Sequence, residues 1–408
     1  MARAMKDSGI PWIGEIPQGW EIKRMKDCFI SNNRRQPNNT VLSLSYGNVI
    51  VKDMEEKKGV TPESYESYQG VHPGDVILRL TDLQNDQKSL RVGRATTKGI
   101  ITSAYLCVSS RMLNDRYSAY LLHDVGDIQK LFYGLGGGVR QSMKFADLAE
   151  LLFSLPPLPE QVAIADYLDR QTALIDQRLE TLAEKKTVLA ELRKAIIHEA
   201  VTKGSTWNAE TGHVEGLTNG WVMLRIKDIA NLRSGDFIAA DRIEPIGVFP
   251  VYGGNGLRGY TDRFTHDGTF ALIGRQGALC GNINYATGKF WATEHAVVVR
   301  HKRKTVTRWL GEMLRCMNLN QYATASAQPG LSVEVIINKF LPFPPLDEQQ
   351  SIADHLDQQT AQIDAQLATL DEQTRALKEL RKSIIHEAVT GKIDLSGYTP
   401  PTPEALAA

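Results

Sequence analysis

Two Pro-Pro pairs are the first residues in this sequence that could belong to a catalytic site. An enzyme that methylates a DNA amino group needs a polar residue before Pro-Pro to hold the amine, and an aromatic residue after it to stack the flipped base. Here Leu155 and Phe343 precede the two pairs, and a leucine follows each of them. Since the polar and aromatic members are missing, both pairs indicate the rigid start of a helix.

The other catalytic candidates also lack necessary partners. The run Gly134-Leu135-Gly136-Gly137-Gly138 is not followed by the Lys-Ser/Thr of a phosphate-binding loop. His198-Glu199 and His386-Glu387 lack the second histidine of a zinc motif. We therefore expect no catalytic residue, no metal site and no cofactor. Scattered acidic residues leave a metal-dependent nuclease core as the remaining alternative.

An internal repeat organises the chain and positions these motifs. The segment that begins at Pro156 returns at Pro344, and about two-thirds of the aligned positions are identical without a gap. A weaker match precedes each copy, where Gly19-Trp20 corresponds to Gly220-Trp221. The residues between the matching ends show little likeness. The chain is therefore predicted to be a tandem of two units with constant ends and divergent middles.

The repeated segments are predicted to form two long helices. Their apolar residues recur at spacings of three, four and seven, which is typical of a coiled coil. One such helix cannot bury its apolar stripe alone, so we expect the two to pack antiparallel about a pseudo-two-fold axis. The alternative is that each helix covers only its own domain. The predicted seam comprises Ile164, Leu168, Ile175, Leu182, Leu189, Leu192 and Ile196, and Ile352, Leu356, Ile363, Leu370, Leu377, Leu380 and Ile384.

The divergent middles are predicted to be mixed α/β domains. Short β-rich runs stand between Gly and Asn residues, and helices are expected near 116–133 and 305–319. The predicted strands lie at 40–44, 75–78, 104–108, 270–273 and 295–299.

Four consecutive segments follow from the repeat. We predict a first domain at 1–155, a first repeated helix at 156–204, a second domain at 205–343, and a second repeated helix with a tail at 344–408. Residues 205–219, which contain Gly, Thr and Asn, are the expected linker at the start of the second domain.

Charge separates the predicted domains from the helices. The 408 residues have a net charge of zero, but segment 1–155 contains 20 Lys and Arg against 17 Asp and Glu, and 205–343 contains 15 against 11. The stretches that follow are acidic, with 7 against 8 in 156–204 and 5 against 11 in 344–408. This distribution favours two domains that face DNA on a scaffold that faces elsewhere.

Cysteine usage and hydropathy point to the cytoplasm. The four cysteines lie far apart without CxxC spacing, which is typical of reduced thiols. The opening residues lack the apolar core of a secretory signal, and no run of apolar residues is long enough to span a membrane. We expect a cytoplasmic protein without a membrane partner.

The repeat, the Gly-Trp openings and the second divergent portion together resemble the specificity subunits of type I restriction–modification systems. The most specific segment is 249–299, in which Gly-Gly-Asn-Gly is followed by Gly-Arg-x-Gly, by Cys-Gly and by a Trp-Ala-Thr strand. The PPLxEQ…IxxxLD segments resemble the family's two helical regions, and the first domain fits in outline. The resemblance covers nearly the whole chain. It implies two mixed α/β target-recognition domains joined by two long helices in an antiparallel coiled coil.

The resemblance also implies a function and partners. In this family each domain reads one half of a split double-stranded DNA site, and the helices set the spacing and dock the modification (methyltransferase) subunits, which we expect to number two. Methylation and ATP-driven translocation belong to the modification and restriction subunits of the complex. A subunit of this kind holds no cofactor and catalyses no reaction.

We expect the DNA contacts to come from polar residues on loops beside the predicted strands, because Arg and Lys suit guanine and phosphates, and Asn and Gln suit adenine. The candidates in the first domain are Arg34, Arg35, Tyr46, Arg79, Gln84, Asn85, Lys88, Arg91, Arg94, Arg140 and Gln141. Those in the second are Arg233, Tyr252, Asn255, Arg258, Arg275, Gln276, Lys289 and Gln328. Tyr252 and Trp291 are alternatively core aromatic residues, an interpretation that we favour for Trp291.

The ends of the repeated helices are candidates for docking a modification subunit, because two copies of one partner require the same surface twice. These residues are Arg193, Lys194 and His198, with Arg381, Lys382 and His386 at the equivalent positions. The alternative is that they merely end the coiled coil.

Two other functions fit the same sequence features. A coiled-coil adaptor with two protein-binding heads would share the repeat and the absence of catalytic motifs, but it would not need basic heads. A reader subunit of another restriction class would share the whole architecture. A steep salt dependence of DNA binding distinguishes a DNA reader from an adaptor.

Overall fold

Two compact units make up the chain. The computed structural model describes residues 3–35, 40–52, 65–86, 88–135, 142–277, 279–323 and 330–400. The first unit consists of Met1–Leu182 with Glu372–Ala408, and the second of Ala183–Asp371. Both boundaries fall inside a long helix, so each unit contains part of both repeated segments. The four-segment division made from the sequence pattern stays a prediction.

The first unit contains small sheets and short helices before the first long helix begins. In chain order its elements are β1 (Met5–Asp7), β2 (Glu15–Pro17), β3 (Glu21–Arg24), α1 (Met25–Cys28), β4 (Phe29–Asn32), β5 (Leu42–Ser45), β6 (Asn48–Val51), β7 (Gln69–Val71), β8 (Val76–Leu78), β9 (Val92–Arg94), β10 (Gly99–Ile101), β11 (Leu106–Ser110), α2 (Asp115–His123), a π-helical turn (Asp124–Ile128), α3 (Phe132–Leu135), α4 (Phe145–Leu148), β12 (Leu152–Leu155) and α5 (Leu158–Thr202).

The second unit follows the same plan up to the second long helix. Its elements are β13 (Thr206–Trp207), β14 (Val214–Glu215), β15 (Val222–Arg225), α6 (Ile226–Ile229), β16 (Ala230–Ser234), a 3₁₀ turn (Ala240–Arg242), β17 (Phe249–Gly253), β18 (Gly256–Thr261), β19 (His266–Asp267), β20 (Phe270–Gly274), β21 (Ile283–Ala286), β22 (Lys289–Ala292), β23 (Ala296–His301), α7 (Thr307–Cys316), a 3₁₀ turn (Leu319–Tyr322), α8 (Val333–Ile337), β24 (Phe340–Phe343) and α9 (Leu346–Val389).

The two units share a framework although their middles share little sequence. Each has a four-stranded antiparallel sheet, in the order β4-β11-β8-β9 in the first unit and β16-β23-β20-β21 in the second. Each also has a two-stranded ladder just before its long helix, formed by β3 with β12 and by β15 with β24. The prediction of two mixed α/β domains with two long helices is confirmed.

The differences between the units lie outside this framework. In the first unit β5 pairs with β6 and β7 pairs with β10. In the second, β18-β17-β22-β19 form another four-stranded sheet, in which β17 and β22 run parallel. The expected linker at 205–219 contains the β13–β14 hairpin. The added elements are therefore the part that varies.

The start of each long helix is bonded to the framework in the same way twice. Trp20 donates from Nε1 to the Glu160 carboxylate at 2.9 Å, and Trp221 donates to Glu348 at 2.8 Å. Each tryptophan is almost completely buried in the core of its unit. The Gly-Trp motif and the PPLxEQ motif therefore recur together because they form one contact.

A glutamine next to each of these glutamates forms hydrogen bonds with two backbone groups. Gln161 donates to the Pro156 carbonyl at 2.9 Å, and its Oε1 accepts from the Asn114 amide at the start of α2. Gln349 makes the same two contacts, donating to Pro344 and accepting from the Val306 amide before α7. One amide side chain thus joins the long helix to the short helix that covers the sheet.

Within each unit the two long helices run antiparallel. In the second unit Lys186 pairs with Asp371 at 2.7 Å and Arg193 with Asp364 at 2.9 Å. Residue numbers therefore increase along one helix where they decrease along the other. In the first unit Arg381 pairs with Asp176 at 3.4 Å. This pair is the repeat equivalent of the Arg193–Asp364 pair, which confirms antiparallel pairing within each unit.

The apolar seam is buried unevenly along each helix. Its N-terminal members, such as Ile164 and Leu168, belong to the core of the first unit, and Ile352 and Leu356 belong to that of the second. These ends therefore also cover their own domains. Leu192 and Leu380, predicted as seam residues, are each 47% exposed because a two-helix pair covers only one face. No helix in the described part of the chain is both long and apolar enough to cross a membrane.

Replacing Gln161 or Gln349 by leucine should destabilise the corresponding unit by about 2–4 kcal/mol, because one buried amide and one buried carbonyl lose their partners. The measurement is urea unfolding of the full chain with each variant. Gln350→Leu is the matched control, since Gln350 is exposed and bonds only to Asp354 among the contacts described. Equal midpoints for Gln349→Leu and Gln350→Leu would contradict this account.

Candidate nucleic-acid interface

Arg91 is the largest correction to the predicted DNA contacts. Its side chain is fully buried, and it donates from Nε to the Tyr133 hydroxyl at 2.8 Å. Its terminal nitrogens donate to the backbone carbonyls of the loop that joins β8 to β9, namely those of Arg79, Thr81, Asp82 and Asp86. Arg91 is therefore the internal anchor of this loop, and its side chain is unavailable to DNA.

The loop that Arg91 anchors displays four other candidates. Gln84, Asn85 and Lys88 are exposed, and Arg79 is half-buried. Asn85 donates to the Asp82 carboxylate at 2.7 Å, which stiffens the tip of the loop. Hydrogen bonds from the Ser89 side chain and amide lower the pKa of Asp86 to about 2, so this carboxylate stays charged beside Arg79. The structure thus groups these candidates on one ordered loop.

Arg34 and Arg94 are held by carboxylates of the first unit. Arg34 bonds to Asp75 at 3.0 Å, and Asp75 is itself buried directly before β8. Arg94 donates from Nε to Asp115 at 2.9 Å; burial raises the pKa of Asp115, but the bond and charge of Arg94 outweigh it and lower the pKa overall. Each arginine is about one-third exposed, so part of its guanidinium still faces solvent.

Arg35 and Tyr46 are the exposed candidates of the first unit outside the β8–β9 loop. Arg35 is exposed just after β4. Tyr46 is 89% exposed and occupies the turn between β5 and β6 with a φ of 48°. A large aromatic side chain held outward on a tight hairpin turn is suited to contact with a partner surface.

Close backbone approach brings the second unit's glycine motifs together. A Cβ on Gly274 would lie 2.3 Å from the Gly254 carbonyl oxygen, a distance that excludes any larger residue. The Gly-Gly-Asn-Gly hairpin and the Gly-Arg-x-Gly loop therefore touch through their backbones. This contact places Asn255 of the first motif and Arg275 of the second on neighbouring loops.

The cluster around Arg275 contains further polar residues. Arg275 is exposed and donates to the Ser234 hydroxyl at 3.2 Å, one residue after the exposed Arg233 on β16. Gln276 is exposed and forms an isolated backbone bridge with Gly330. Asn255 accepts from Asn282 at 3.4 Å. We name Arg233, Asn255, Arg275, Gln276 and Asn282 the second-unit polar cluster.

Asn282 was missed by the sequence reasoning. It follows Cys280-Gly281 in the most specific segment and reaches the cluster through its contact with Asn255. His295 was also missed, although its carbonyl accepts from the Arg275 amide at 2.9 Å. The signal was present, because both residues lie within the 249–299 pattern, but only the loop contacts select them.

Three remaining candidates of the second unit lie on or beside its added sheet. Arg258 is exposed on β18, and its side chain packs over Gly253. Lys289 is exposed with Nζ 4.8 Å from the Phe264 ring centre. Tyr252 is half-buried edge-on to Phe290, so its ring is mainly a packing residue.

Trp291 is not a core residue. It is half-buried and donates from its indole nitrogen to the Asp236 carbonyl at 3.1 Å. Arg140, Gln141 and Gln328, the other predicted contacts, lie outside the described residues.

The candidate docking residues are partly used inside their own units. Arg193 and Arg381 pair with Asp364 and Asp176 on the facing helix. His386 lies 3.1 Å from the buried carboxylate of Asp124. Lys194, Lys382 and His198 are exposed. A docking role therefore remains a prediction, and it is best supported for these exposed side chains.

Metal-binding clusters are not found among the residues that the structure describes. Burial raises the pKa of Cys28 to about 11 and, assisted by Asp75, that of Cys107 to about 12. Both thiols stay protonated near neutral pH, so they are unsuited to act as nucleophiles.

Comparison with known proteins identifies one family. The family model for the type I restriction modification DNA specificity domain matches residues 17–185 and 218–372. The matched ranges together cover most of the chain and include both frameworks and most of both long helices.

Curated relatives match over shorter stretches. The specificity subunit of the type I restriction enzyme EcoprrI from Escherichia coli is 47% identical over 134 residues, which are 32% of this chain and 33% of the relative. A putative type I restriction enzyme specificity subunit from Haemophilus influenzae is 35% identical over 118 residues, 28% of this chain and 31% of the relative. The matches thus span about a third of either relative.

A solved structure shares the fold over nearly the full chain. It comes from work on complex assembly and conformational transition of the type I R-M system, and it covers 93% of this chain and 99% of its own. The TM-score is 0.63 at 17% sequence identity, so the likeness concerns the fold.

Replacing Arg91 by methionine should release the β8–β9 loop, because four backbone carbonyls and the Tyr133 hydroxyl lose one shared donor. We expect amide hydrogen exchange in residues 79–86 to become at least tenfold faster. Arg79→Met is the control, since Arg79 lies on the same loop but is about one-third exposed. Unchanged exchange in the Arg91→Met variant would show that the loop is held by other contacts.

Proposed function

The chain belongs to the family of type I restriction–modification DNA specificity proteins, and we propose that it reads a two-part DNA sequence for a type I restriction–modification complex. Each unit presents one reading surface to double-stranded DNA, and the two surfaces differ. The chain supplies recognition only. Methylation and cleavage belong to the modification and restriction subunits with which it assembles.

One observation carries this proposal: a framework built twice from the same contacts bears two different sets of loops. The Trp–Glu and Gln–backbone bonds recur in both units. The exposed polar residues, by contrast, sit on a β8–β9 loop in the first unit and on the second-unit polar cluster in the other. A protein that reads two unlike half-sites needs this combination, because base contacts must vary while the support stays constant.

Charge and side-chain type support DNA as the ligand. The predicted domains carry the excess of Lys and Arg, and the helical stretches carry the excess of Asp and Glu. The clusters combine Arg with Asn and Gln, which pair with guanine and adenine edges in the major groove. An adaptor for proteins would not require this combination. We propose that the long helices set the distance between the half-sites and dock two modification subunits.

Removing positive charge from the second-unit polar cluster should weaken DNA binding and reduce its salt dependence. For Arg233→Ala combined with Arg275→Ala, the slope of log affinity against log salt should fall by about 2, because each phosphate contact contributes about 0.9. The measurement is DNA binding by the assembled complex at several salt concentrations. Lys304→Ala, an exposed charge next to the framework, should leave the slope unchanged. A flat salt response in the unaltered complex would favour the adaptor function.

Exchanging residues 205–343 for the same region of a relative should change one half of the recognised DNA motif and leave the other half intact. The physical reason is that the exchanged region carries all loops of the second framework and none of the first. Mapping of methylated bases in genomic DNA from cells with either protein measures this directly. If both halves change, or neither does, the two units do not read independently.

A further inference from the structure

A groove on the helix pair of the second unit is open, whereas the equivalent groove of the first unit is covered. The open groove has a volume of about 560 Å³, and its lining includes Ile196, Glu199, Ala200, Ser351, Ile352 and His355. The repeat assigns an equivalent to each: Ile384, Glu387, Ala388, Ala163, Ile164 and Tyr167. These form the covered groove.

The chain's own tail covers the groove of the first unit. After α9 ends, Tyr398 packs edge-on against Tyr167 with 5.4 Å between ring centres. Ile393 and Leu395 belong to the same apolar cluster as Ile164 and Ala388. Arg3, which bonds to Glu160 at the edge of this groove, also lies 3.7 Å from Asp394 of the tail. An extended Ile-x-Leu-x-x-Tyr segment is thus the natural occupant of this helix surface.

Equivalent residues are more buried in the covered groove than in the open groove. Ala163 is 9% exposed and Ala388 is completely buried in the covered groove. Their counterparts are exposed in the case of Ser351 and half-buried in the case of Ala200. Tyr167 is half-buried, but His355 is exposed. The outer part of this helix surface, at Ser351 and His355, is therefore exposed in the second unit, whereas Ile352 at its base is buried as Ile164 is.

The segment that follows α5 takes a different path from the tail. Each long helix is followed by a residue in the left-handed region, Lys203 with a φ of 46° after α5 and Gly391 with a φ of 77° after α9. Beyond Lys203 the chain contacts the first residue of β24: the Trp207 indole donates to the Phe340 carbonyl at 2.9 Å, and the Ala209 carbonyl accepts from the Phe340 amide at 2.8 Å. Residues 204–219 are not among those that line the open groove.

We propose that the open groove binds an extended segment of a modification subunit that resembles this chain's own tail, with two aliphatic residues two positions apart and an aromatic residue three positions further on. The identity of the partner rests on the proposed function. Ile196 and Ile352 form an aliphatic floor in the open groove. The equivalent floor of the first unit, Ile384 and Ile164, belongs to one apolar cluster with Ile393 and Leu395 of the tail. Ser351 and His355 are exposed and offer hydrogen bonds to the polar end of an aromatic residue.

This arrangement makes the two units unequal toward two copies of one partner. A partner segment enters the open groove directly, but it meets the covered groove already filled by residues 393–398. One modification subunit is therefore anchored at a groove that the other does not share. The inequality arises from the paths of the two segments after the helices and from the replacement of Ala163 and Tyr167 by Ser351 and His355.

The chain's own tail sequence is a probe for the open groove. We expect a labelled peptide of residues 390–400, TGKIDLSGYTP, to bind the full-length protein in a fluorescence anisotropy titration. Ser351→Arg should weaken binding at least tenfold, since an arginine at this exposed position fills the groove. Gln350→Arg adds the same charge one residue away, outside the groove lining, and should leave binding unchanged. Absence of binding, or equal binding to both variants, would overturn the groove as a peptide site.

Assembly with the modification subunit tests the occupant separately. The Ser351→Arg protein should retain at least tenfold less of one modification subunit in a pull-down than the Gln350→Arg protein. If the peptide binds but both variants assemble equally, the proposed occupant is wrong. The peptide titration requires neither DNA nor another subunit, so its failure leaves the DNA-reading function standing. A loss of DNA reading with intact peptide binding would contradict the DNA-reading function and leave the groove standing as a peptide site.

Discussion

A glutamate and a buried glutamine at the start of each long helix support the remainder of the structure. The carboxylates of Glu160 and Glu348 accept from the indoles of Trp20 and Trp221, and the neighbouring glutamines satisfy a carbonyl of the Pro-Pro pair and the amide that starts α2 or α7. The two glutamine side chains lie where water cannot replace a lost partner, so their bonds must form together with the core. They join the ladder, the long helix and the sheet-covering helix at one point.

Because this junction is made from the repeated sequence, the loops beyond it are free to differ. The sheets β4-β11-β8-β9 and β16-β23-β20-β21 have the same strand order, yet one unit presents its polar residues on a loop anchored by Arg91 and the other through glycine loops in contact. Different local devices therefore solve the same problem. Each holds Arg, Asn and Gln side chains outward on backbone that does not have to reorganise when a partner binds.

The segments that follow the two long helices do not obey the repeat. The long helices present nearly identical residues, but the segments that follow them go to different places, one onto the helices and one onto β24. A similar surface is consequently covered once and left open once. Symmetry of sequence does not ensure symmetry of surface, since a surface also depends on what the neighbouring chain covers.

Much of this protein was determined by its sequence alone. The apolar period predicted both long helices, and the repeat predicted their antiparallel pairing. The β-rich runs at 75–78, 104–108, 270–273 and 295–299 coincide with β8, β11, β20 and β23. The resemblance identified the family. Local patterns and a repeat predict these features, and both are recognisable in the sequence without knowledge of any tertiary contact.

Only the tertiary structure decided which polar residues are presented. Arg91 and Arg79 look alike in sequence, yet one is fully buried among carbonyls and the other is about one-third exposed. Trp291 is predicted from the sequence to be a core residue, but it is half-buried. Asn282 is not among the residues predicted from the sequence, but it lies in the second-unit polar cluster. The reason is physical: whether an arginine faces solvent or closes a loop depends on carbonyls and aromatic rings supplied by distant segments, and no local pattern records their positions.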